Sequence, residues 1–107
     1  MILCIGTTPT AQRSMTFDRV TVDSVNRASA VSEYASGKSI NVARVLKTLG
    51  HSPLCTGFLG GPRGQMIRQD LDALPIPHDF VTVPSPTRLC TTGIDRSNHA
   101  ATELVEE

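Results

Sequence analysis

Residues 36–39 read Ser-Gly-Lys-Ser and lead directly into a predicted amphipathic helix, with Asn41 in its first turn. The start of a helix offers unpaired backbone N–H groups at the positive end of the helix dipole. It therefore suits an anionic or hydroxyl-rich ligand. Lys38 adds a positive charge there, and Gly37 lets a ligand approach the backbone closely. These residues predict a small-molecule site.

The composition limits the classes of partner. The chain has 107 residues, of which 39% are hydrophobic, and its mean hydropathy is -0.05. Ten basic and ten acidic residues cancel, so no net field favours nucleic acid or an anionic membrane. No apolar run approaches the ~18 residues of a membrane span, and the N-terminal segment lacks the basic flank of a signal peptide. We therefore expect one small cytoplasmic domain that binds neither nucleic acid nor membrane.

The cysteines and histidines are scattered along the chain. No Cys-x-x-Cys pair occurs, and no two histidines are four residues apart, so neither a metal site nor a redox motif is predicted. Apolar or β-branched neighbours favour reduced, buried thiols, and the histidines are expected in loops or at the surface. The residues concerned are Cys4, Cys55, Cys90, His51, His78 and His99.

Apolar patterning predicts the elements that must position these groups. Strands are expected over residues 1–5, 17–22, 28–34, 53–59, 79–83, 87–94 and 101–105, and helices over 37–49 and 64–74. The apolar stripe of the first helix is Val42, Val45, Leu46 and Leu49, and the buried stripe of the second is Ile67, Leu71 and Leu74. A turn at 7–10 follows the first strand, at the end of an α/β sheet where ligands bind.

This order predicts an α/β fold in which a parallel sheet with flanking helices carries a β side-piece. Only three parallel strands and two helices are predicted for the core. Parallel sheets are normally covered on both faces, and the chain stops directly after a predicted strand. We therefore expect further sequence to complete this core.

The Gly-Lys segment has two other interpretations. A phosphate-binding loop requires G-x-x-x-x-G-K-[ST], and residues 32–39 match this pattern except at its first glycine. Residues 32–34 continue the preceding strand pattern, however, and the carboxylate of Glu33 would repel a phosphate. The simplest alternative is a plain turn before a helix, with Ser36 as the N-cap.

Several segments together resemble the PfkB (ribokinase-like) carbohydrate kinases, and in particular their phosphosugar branch of fructose-1-phosphate and tagatose-6-phosphate kinases. Residues 41–50 are similar to the family segment INVARVLKALG. The remaining likeness lies at 8–11, 25–27, 36–50, 57–61, 87–88 and 102–103, in family order and spacing. The resemblance implies that residues 1–107 are the N-terminal sugar-binding and lid portion of a ribokinase-like domain. Lid segments are then expected at about 16–35 and 86–105, and the C-terminal nucleotide-binding portion is absent.

The resemblance also implies a function. Such enzymes transfer the γ-phosphoryl group of ATP to a ketose phosphate, with ATP and Mg²⁺ as cofactors of the complete kinase, and often pair through their lids. By similarity, Gly37 and Asn41 contact sugar hydroxyls. Arg27 and Arg88 bind the phosphate already on the sugar, with Lys38 nearby. Guanidinium groups suit phosphate oxygens, and an amide can both donate to and accept from a diol.

Three positions depart from the family pattern. Gln12 stands where the family usually has an aspartate that accepts hydrogen bonds from the sugar. Ser36 and Ser39 replace the outer glycines of Gly-Gly-Lys-Gly, and Cys90 replaces a frequent asparagine. Both a changed substrate preference and a decayed site are compatible with these changes.

The family's catalytic base is the aspartate of a Gly-Ala-Gly-Asp motif, which these 107 residues lack. Asp70 and Asp72 are predicted on the solvated side of the second helix, and Glu33 has no evident partner, so none is expected to replace it. We expect no catalytic, ATP-binding or metal-binding residue in this chain. The leading hypothesis is the sugar-phosphate-binding part of a ketose phosphate kinase that is inactive alone. The alternatives are a stand-alone sugar-phosphate-binding or lid-dimerising protein and a P-loop nucleotide binder.

Overall fold

The computed structural model describes all residues from Met1 to Glu107. The elements in chain order are β1 (Ile2–Gly6), β2 (Thr10–Phe17), β3 (Ala30–Ser36), α1 (Lys38–Thr48), β4 (Pro53–Leu59), α2 (Gly61–Ala73), β5 (Val81–Thr82), β6 (Arg88–Asp95) and β7 (Ala100–Val105). The strands form two sheets, a three-stranded sheet in the order β1-β4-β5 and a four-stranded sheet in the order β3-β2-β6-β7. The predicted α/β class with a β side-piece is therefore confirmed.

The three-stranded sheet is parallel and carries the core. β1 pairs with β4 in a register that places Cys4 beside Cys55, and both residues are buried. Helix α1 packs on β1 and β4, whereas α2 packs on β4 and on the first strands of the other sheet. The side chains of Ile40, Ile67 and Leu71 meet in one buried cluster. Burying each such side chain stabilises the fold by about 1.5–3 kcal/mol.

The four-stranded sheet extends from this core. β2 runs antiparallel to β3 and parallel to β6, and β6 and β7 form an antiparallel hairpin. Ala11 and Ala35 anchor the near end of the sheet because both are buried, and Ala35 belongs to the core cluster. The far end, near Phe17 and Asp95, projects away from the three-stranded sheet.

The strand predicted over residues 17–22 is wrong. The observed strand is Thr10–Phe17, and residues 18–29 form a loop. Asn26 closes that loop, since its Oδ1 accepts from the Thr21 backbone N–H at 2.8 Å and its Nδ2 donates to Thr21 O at 2.9 Å. Apolar and polar residues alternate over 17–22, as is typical of a strand. In the observed strand β2, Arg13 interrupts the apolar face.

The apolar stripe predicted for α1 is largely not its buried face. Val42, Val45 and Leu49 are exposed, and the buried residues are Ser39, Ile40 and Ala43. The short Ser39 and Ala43 side chains face the sheet because α1 lies close against β1 and β4. In α2 the predicted residues Ile67 and Leu71 are buried, whereas Leu74 is half exposed.

The acidic residues predicted to be free and solvated have partners. Asp70 Oδ2 accepts from the Ala35 backbone N–H at 2.8 Å and from Arg44 at 3.2 Å, so it joins α2 to β3 and α1. Glu33 accepts from Arg13 Nε at 2.7 Å. Asp72 lies 2.7 Å from Nε2 of His78. None of the three carboxylates lies in the clefts described below.

All three cysteines are free and buried, as the sequence predicts. Burial and, to a lesser extent, the neighbouring Cys4 together raise the pKa of the Cys55 thiol to about 11. Neither helix combines the length and the apolar character needed to cross a bilayer.

Candidate functional site

The site lies where β1, the 7–9 turn and the start of α1 meet. Gly37 precedes α1 with a φ of 112°, a left-handed conformation that favours glycine. A Cβ at Gly37 would meet the Pro9 Cα at 3.3 Å, so the turn and the helix start approach closely. Gly6 ends β1 against Ser39, and a Cβ there would collide with the Ser39 hydroxyl. Two glycines therefore bring the strand end and the helix N-terminus together.

Five of the six predicted site residues line one cleft of about 190 Å³. We call it the Gln12 cleft. These five are Gln12, Gly37, Lys38, Asn41 and Arg88, and the other lining residues are Thr10, Ser36, Cys90, Glu103 and Val105. The sequence positions are far apart, and the four-stranded sheet and α1 bring them together. The lining combines two cations, one carboxylate and several neutral donors and acceptors.

A second cleft of about 500 Å³ lies beside the first, between the end of β1 and the start of α1. We call it the Gly6 cleft. Lys38 and Arg88 line both clefts, so the two cations stand at their junction. The remaining lining residues are Ile5, Gly6, Thr7, Thr8 and Ser39. An anion at the junction would meet both positive charges and the positive end of the α1 dipole.

Arg88 is held in place by the protein. Its Nε donates to Thr10 Oγ1 at 2.7 Å, and its two terminal nitrogens donate to Glu106 O and Thr8 O at 3.4 Å each. Five guanidinium N–H groups exist, so donors remain for a ligand. Lys38, by contrast, is exposed and makes no hydrogen bond or ion pair with the protein.

The two amides of the Gln12 cleft have different surroundings. Gln12 Nε2 donates to Thr92 Oγ1 at 2.8 Å, across β2 and β6. Asn41 Oδ1 accepts only a long bond from Ser36 Oγ at 3.4 Å, and its backbone N–H donates to Gly37 O at 2.9 Å. The Asn41 amide therefore keeps most of its hydrogen-bonding capacity for a ligand.

The profile of the pfkB family carbohydrate kinases matches residues 1–106, which is nearly the whole chain. The chain belongs to this family. The N-terminal resemblance predicted from the sequence is thereby confirmed.

Solved structures agree with the pfkB assignment. A protein named as a phosphofructokinase from Staphylococcus aureus is 32% identical, with a TM-score of 0.86 over 99% of this chain and 34% of its own. A protein named as a 1-phosphofructokinase from Thermotoga maritima is 28% identical, with a TM-score of 0.87 over 98% of this chain and 34% of its own.

Phosphofructokinase-2 from Escherichia coli, solved in complex with fructose-6-phosphate, shares the fold at 21% identity. Its TM-score is 0.94, over 98% of this chain and 35% of its own. This pfkB-family chain therefore spans about a third of the length of the kinases that it matches.

Arg27 is the predicted site residue that the fold does not bring to the clefts. It lies in the exposed 18–29 loop, which follows the far end of β2, and lines neither cleft. Thr10 marks the site end of the same strand and Phe17 its far end. Eight extended residues span about 25 Å, so the loop that holds Arg27 lies at the other end of β2 from the clefts.

Sequence reasoning missed Glu103 and Thr10, which line the Gln12 cleft, and Thr92, which accepts from Gln12. Glu103 is the only carboxylate in the two clefts, and it lies opposite Thr92 in the β6–β7 register. The alternation of β7 shows that every second residue shares a face. Only the register with β6 shows which face turns toward Gln12, and no local pattern reports that register.

A P-loop does not form around Lys38. Residues 32–36 belong to β3 and pair with β2, whereas a P-loop needs these residues to curl around a phosphate. No group of three or more His, Cys, Asp or Glu side chains is placed to hold a metal ion. The residues of the two clefts, with Glu103 as their single carboxylate, do not fit Mg²⁺, which prefers several carboxylate and phosphate oxygens.

Proposed function

We propose that these residues form the sugar-phosphate-binding part of an ATP-dependent ketose phosphate kinase of the pfkB family. The observation that carries the proposal is the convergence of Gln12, Gly37, Lys38, Asn41 and Arg88 on one cleft beside the N-terminus of α1. In the complete kinase, ATP and Mg²⁺ would supply the phosphoryl group and its charge neutralisation. We propose a cytoplasmic location, where such metabolites occur.

The charges of the clefts support a ligand that carries both phosphate and hydroxyl groups. Lys38 and Arg88 provide two positive charges at the junction of the clefts, where a phosphate would sit. In the Gln12 cleft, Asn41 offers an amide oxygen and N–H groups, and Gln12 offers an amide oxygen. Gly37 exposes backbone next to both. Each hydroxyl would then meet a polar partner rather than an apolar wall.

A thermal melt tests the proposal on the 107-residue chain. Samples contain fructose 1-phosphate, fructose 6-phosphate, tagatose 6-phosphate, fructose, inorganic phosphate or ATP. A ligand that binds only the folded state raises the midpoint by mass action. We expect one ketose phosphate to raise the midpoint more than fructose or phosphate alone, and ATP to have no effect.

Lys38→Ala gives the matched test, with Lys47→Ala as its control on the same helix. Lys38 has no protein partner, so its removal should not unfold the chain. We expect Lys38→Ala to weaken ketose phosphate binding about tenfold, as for one lost charge-assisted contact, and Lys47→Ala to leave it unchanged. No ketose phosphate effect in the wild type, or equal affinity in both variants, would contradict the proposal. A shift caused by ATP alone would instead support nucleotide binding.

A second copy of the chain is the proposed partner at the four-stranded sheet. The face of the sheet opposite the Gln12 cleft carries an apolar cavity of about 410 Å³ lined by Met15, Phe17 and Leu104, among others. Val31 and Leu104 are exposed on this face. Exposed apolar side chains do not stabilise a monomer, and a patch of them is typical of an interaction surface. Pairing of two such faces would bury them.

A further inference from the structure

The side-chain amide of Gln12 is held in one orientation by two acceptors. Its Nε2 donates to Thr92 Oγ1 at 2.8 Å and lies 3.4 Å from Arg13 O. A backbone carbonyl can only accept, so the opposite orientation would place Gln12 Oε1 against the Arg13 carbonyl oxygen. The contact with Arg13 therefore fixes which end of the amide faces Thr92.

The remaining oxygen of this amide has no partner in the protein. No residue donates a hydrogen bond to Gln12 Oε1. The Gln12 side chain lines the same cleft as Asn41 and Gly37. The donor end of the amide is thus occupied by β6, and the acceptor end is left to the cleft. A free glutamine would offer donor and acceptor in either order.

We propose that Thr92 is a positioning residue that makes Gln12 a fixed, uncharged hydrogen-bond acceptor for a ligand hydroxyl. This inference rests on the proposed function, because it assigns the hydroxyl to the ketose phosphate. The amide oxygen accepts a hydrogen bond as a carboxylate oxygen would. It adds no negative charge to a cleft that must hold a phosphate. Glu103 remains its only carboxylate. Gln12 is therefore a neutral substitute for the usual aspartate and does not indicate a decayed site.

Thr92→Val and Thr92→Ser separate positioning from structure. Valine keeps the shape and β-branching of Thr92 but cannot accept from Gln12, whereas serine keeps the hydroxyl. We expect Thr92→Val to weaken binding of the active ketose phosphate about fivefold, as for one neutral hydrogen bond, and Thr92→Ser to restore it. Binding of inorganic phosphate, which depends on Lys38 and Arg88, should be equal in all three proteins.

A double-mutant cycle shows whether Thr92 acts through Gln12. Gln12→Met keeps the length of the side chain but removes the amide, and it should weaken ketose phosphate binding at least as much as Thr92→Val. In the Gln12→Met background, Thr92→Val should then cause no further loss. Additive losses would overturn the inference, as would wild-type affinity of Thr92→Val or an equal loss in Thr92→Ser.

The hydrogen bond from Gln12 to Thr92 can be tested without any ligand. The chain has only three glutamines, and Gln65 and Gln69 are exposed on α2, so they serve as internal references in ¹⁵N-edited NMR spectra. The Gln12 side-chain N–H pair should exchange more slowly than the reference pairs in the wild type and match them in Thr92→Val. A wild-type Gln12 pair that matches Gln65 and Gln69 would overturn the positioning.

The two readouts distinguish this inference from the proposed function. If the wild type binds no ketose phosphate, the proposed function and the acceptor role both fail, and a protected Gln12 amide is then a structural contact only. If the wild type binds a ketose phosphate but Thr92→Val binds it equally well, the function stands and the role of Thr92 fails.

Discussion

At the scale of single residues, Cys55 couples the core to pH. Its thiol lies beside Cys4 in the β1–β4 register, and both side chains are buried. Burial first, and the neighbouring Cys4 second, raise the pKa of Cys55 from an ordinary value of 9.0 to about 11. The buried thiol is therefore a poor nucleophile at neutral pH, because the thiolate is the reactive form.

The raised pKa predicts a loss of stability in alkali. Below pH 9 the Cys55 thiol is protonated in both the folded and the unfolded chain, so its full contribution to the free energy of unfolding is present. Between pH 9 and 11 the unfolded chain releases the proton first, and the free energy of unfolding falls by about 2–3 kcal/mol. Urea titrations from pH 8 to 11 should show this fall in the wild type and in Cys90→Ala. In Cys55→Ala the slope should be shallower, and an equal slope would contradict the assignment.

At the scale of elements, Asp70 joins three pieces that are distant in sequence. Its Oδ2 accepts from the backbone of β3 and from Arg44 of α1, while Arg44 also donates to Ala35 O at 2.6 Å. The same contacts hold the strand that leads into Gly37. The orientation of α1, and with it the Gln12 cleft, therefore depends in part on a carboxylate outside the cleft.

Asp70→Asn tests this connection, with Asp72→Asn as a control on the same helix. Asparagine has a similar shape but loses the charge-assisted bonds, which should lower the free energy of unfolding by about 1.5–3 kcal/mol. Asp72 is 73% exposed and should contribute under about 1 kcal/mol. For a domain of this size the first loss corresponds to a midpoint shift of roughly 6 °C or more in a calorimetric scan. Equal shifts for both variants would argue against the connection.

Local patterns predict the elements better than their contacts. Strand β4 and the hairpin of β6 and β7 follow from periodicity and turn residues, because those signals are local. Helix α1 is predicted at the right place in the sequence, but its apolar stripe is largely not its buried face. The position of β2 was misplaced, since Arg13 breaks its apolar alternation and finds its partner Glu33 only across the sheet. Gln12 and Thr92 are 80 residues apart, and their contact depends on the register between β2 and β6. No local sequence pattern predicts that register.

At the scale of the whole molecule, two exposed apolar surfaces compete as sites of self-association. One is the face of the four-stranded sheet with Val31 and Leu104, and the other is the exposed side of α1 with Val42 and Val45. The first surrounds an apolar cavity, whereas the second is the solvent side of a single helix. A concave apolar surface offers more contact to a second copy than a convex helix does.

Leu104→Lys and Val45→Lys distinguish the two surfaces. Both side chains are more than half exposed in the monomer, at 67% and 58%, so a lysine at either position should leave the fold intact. We expect the wild type to form a concentration-dependent dimer in sedimentation velocity, and Leu104→Lys to shift it to monomer because two desolvated ammonium groups would face each other. Val45→Lys should remain dimeric. The opposite pattern would place the association at the exposed side of α1 and leave the face of the four-stranded sheet without a partner.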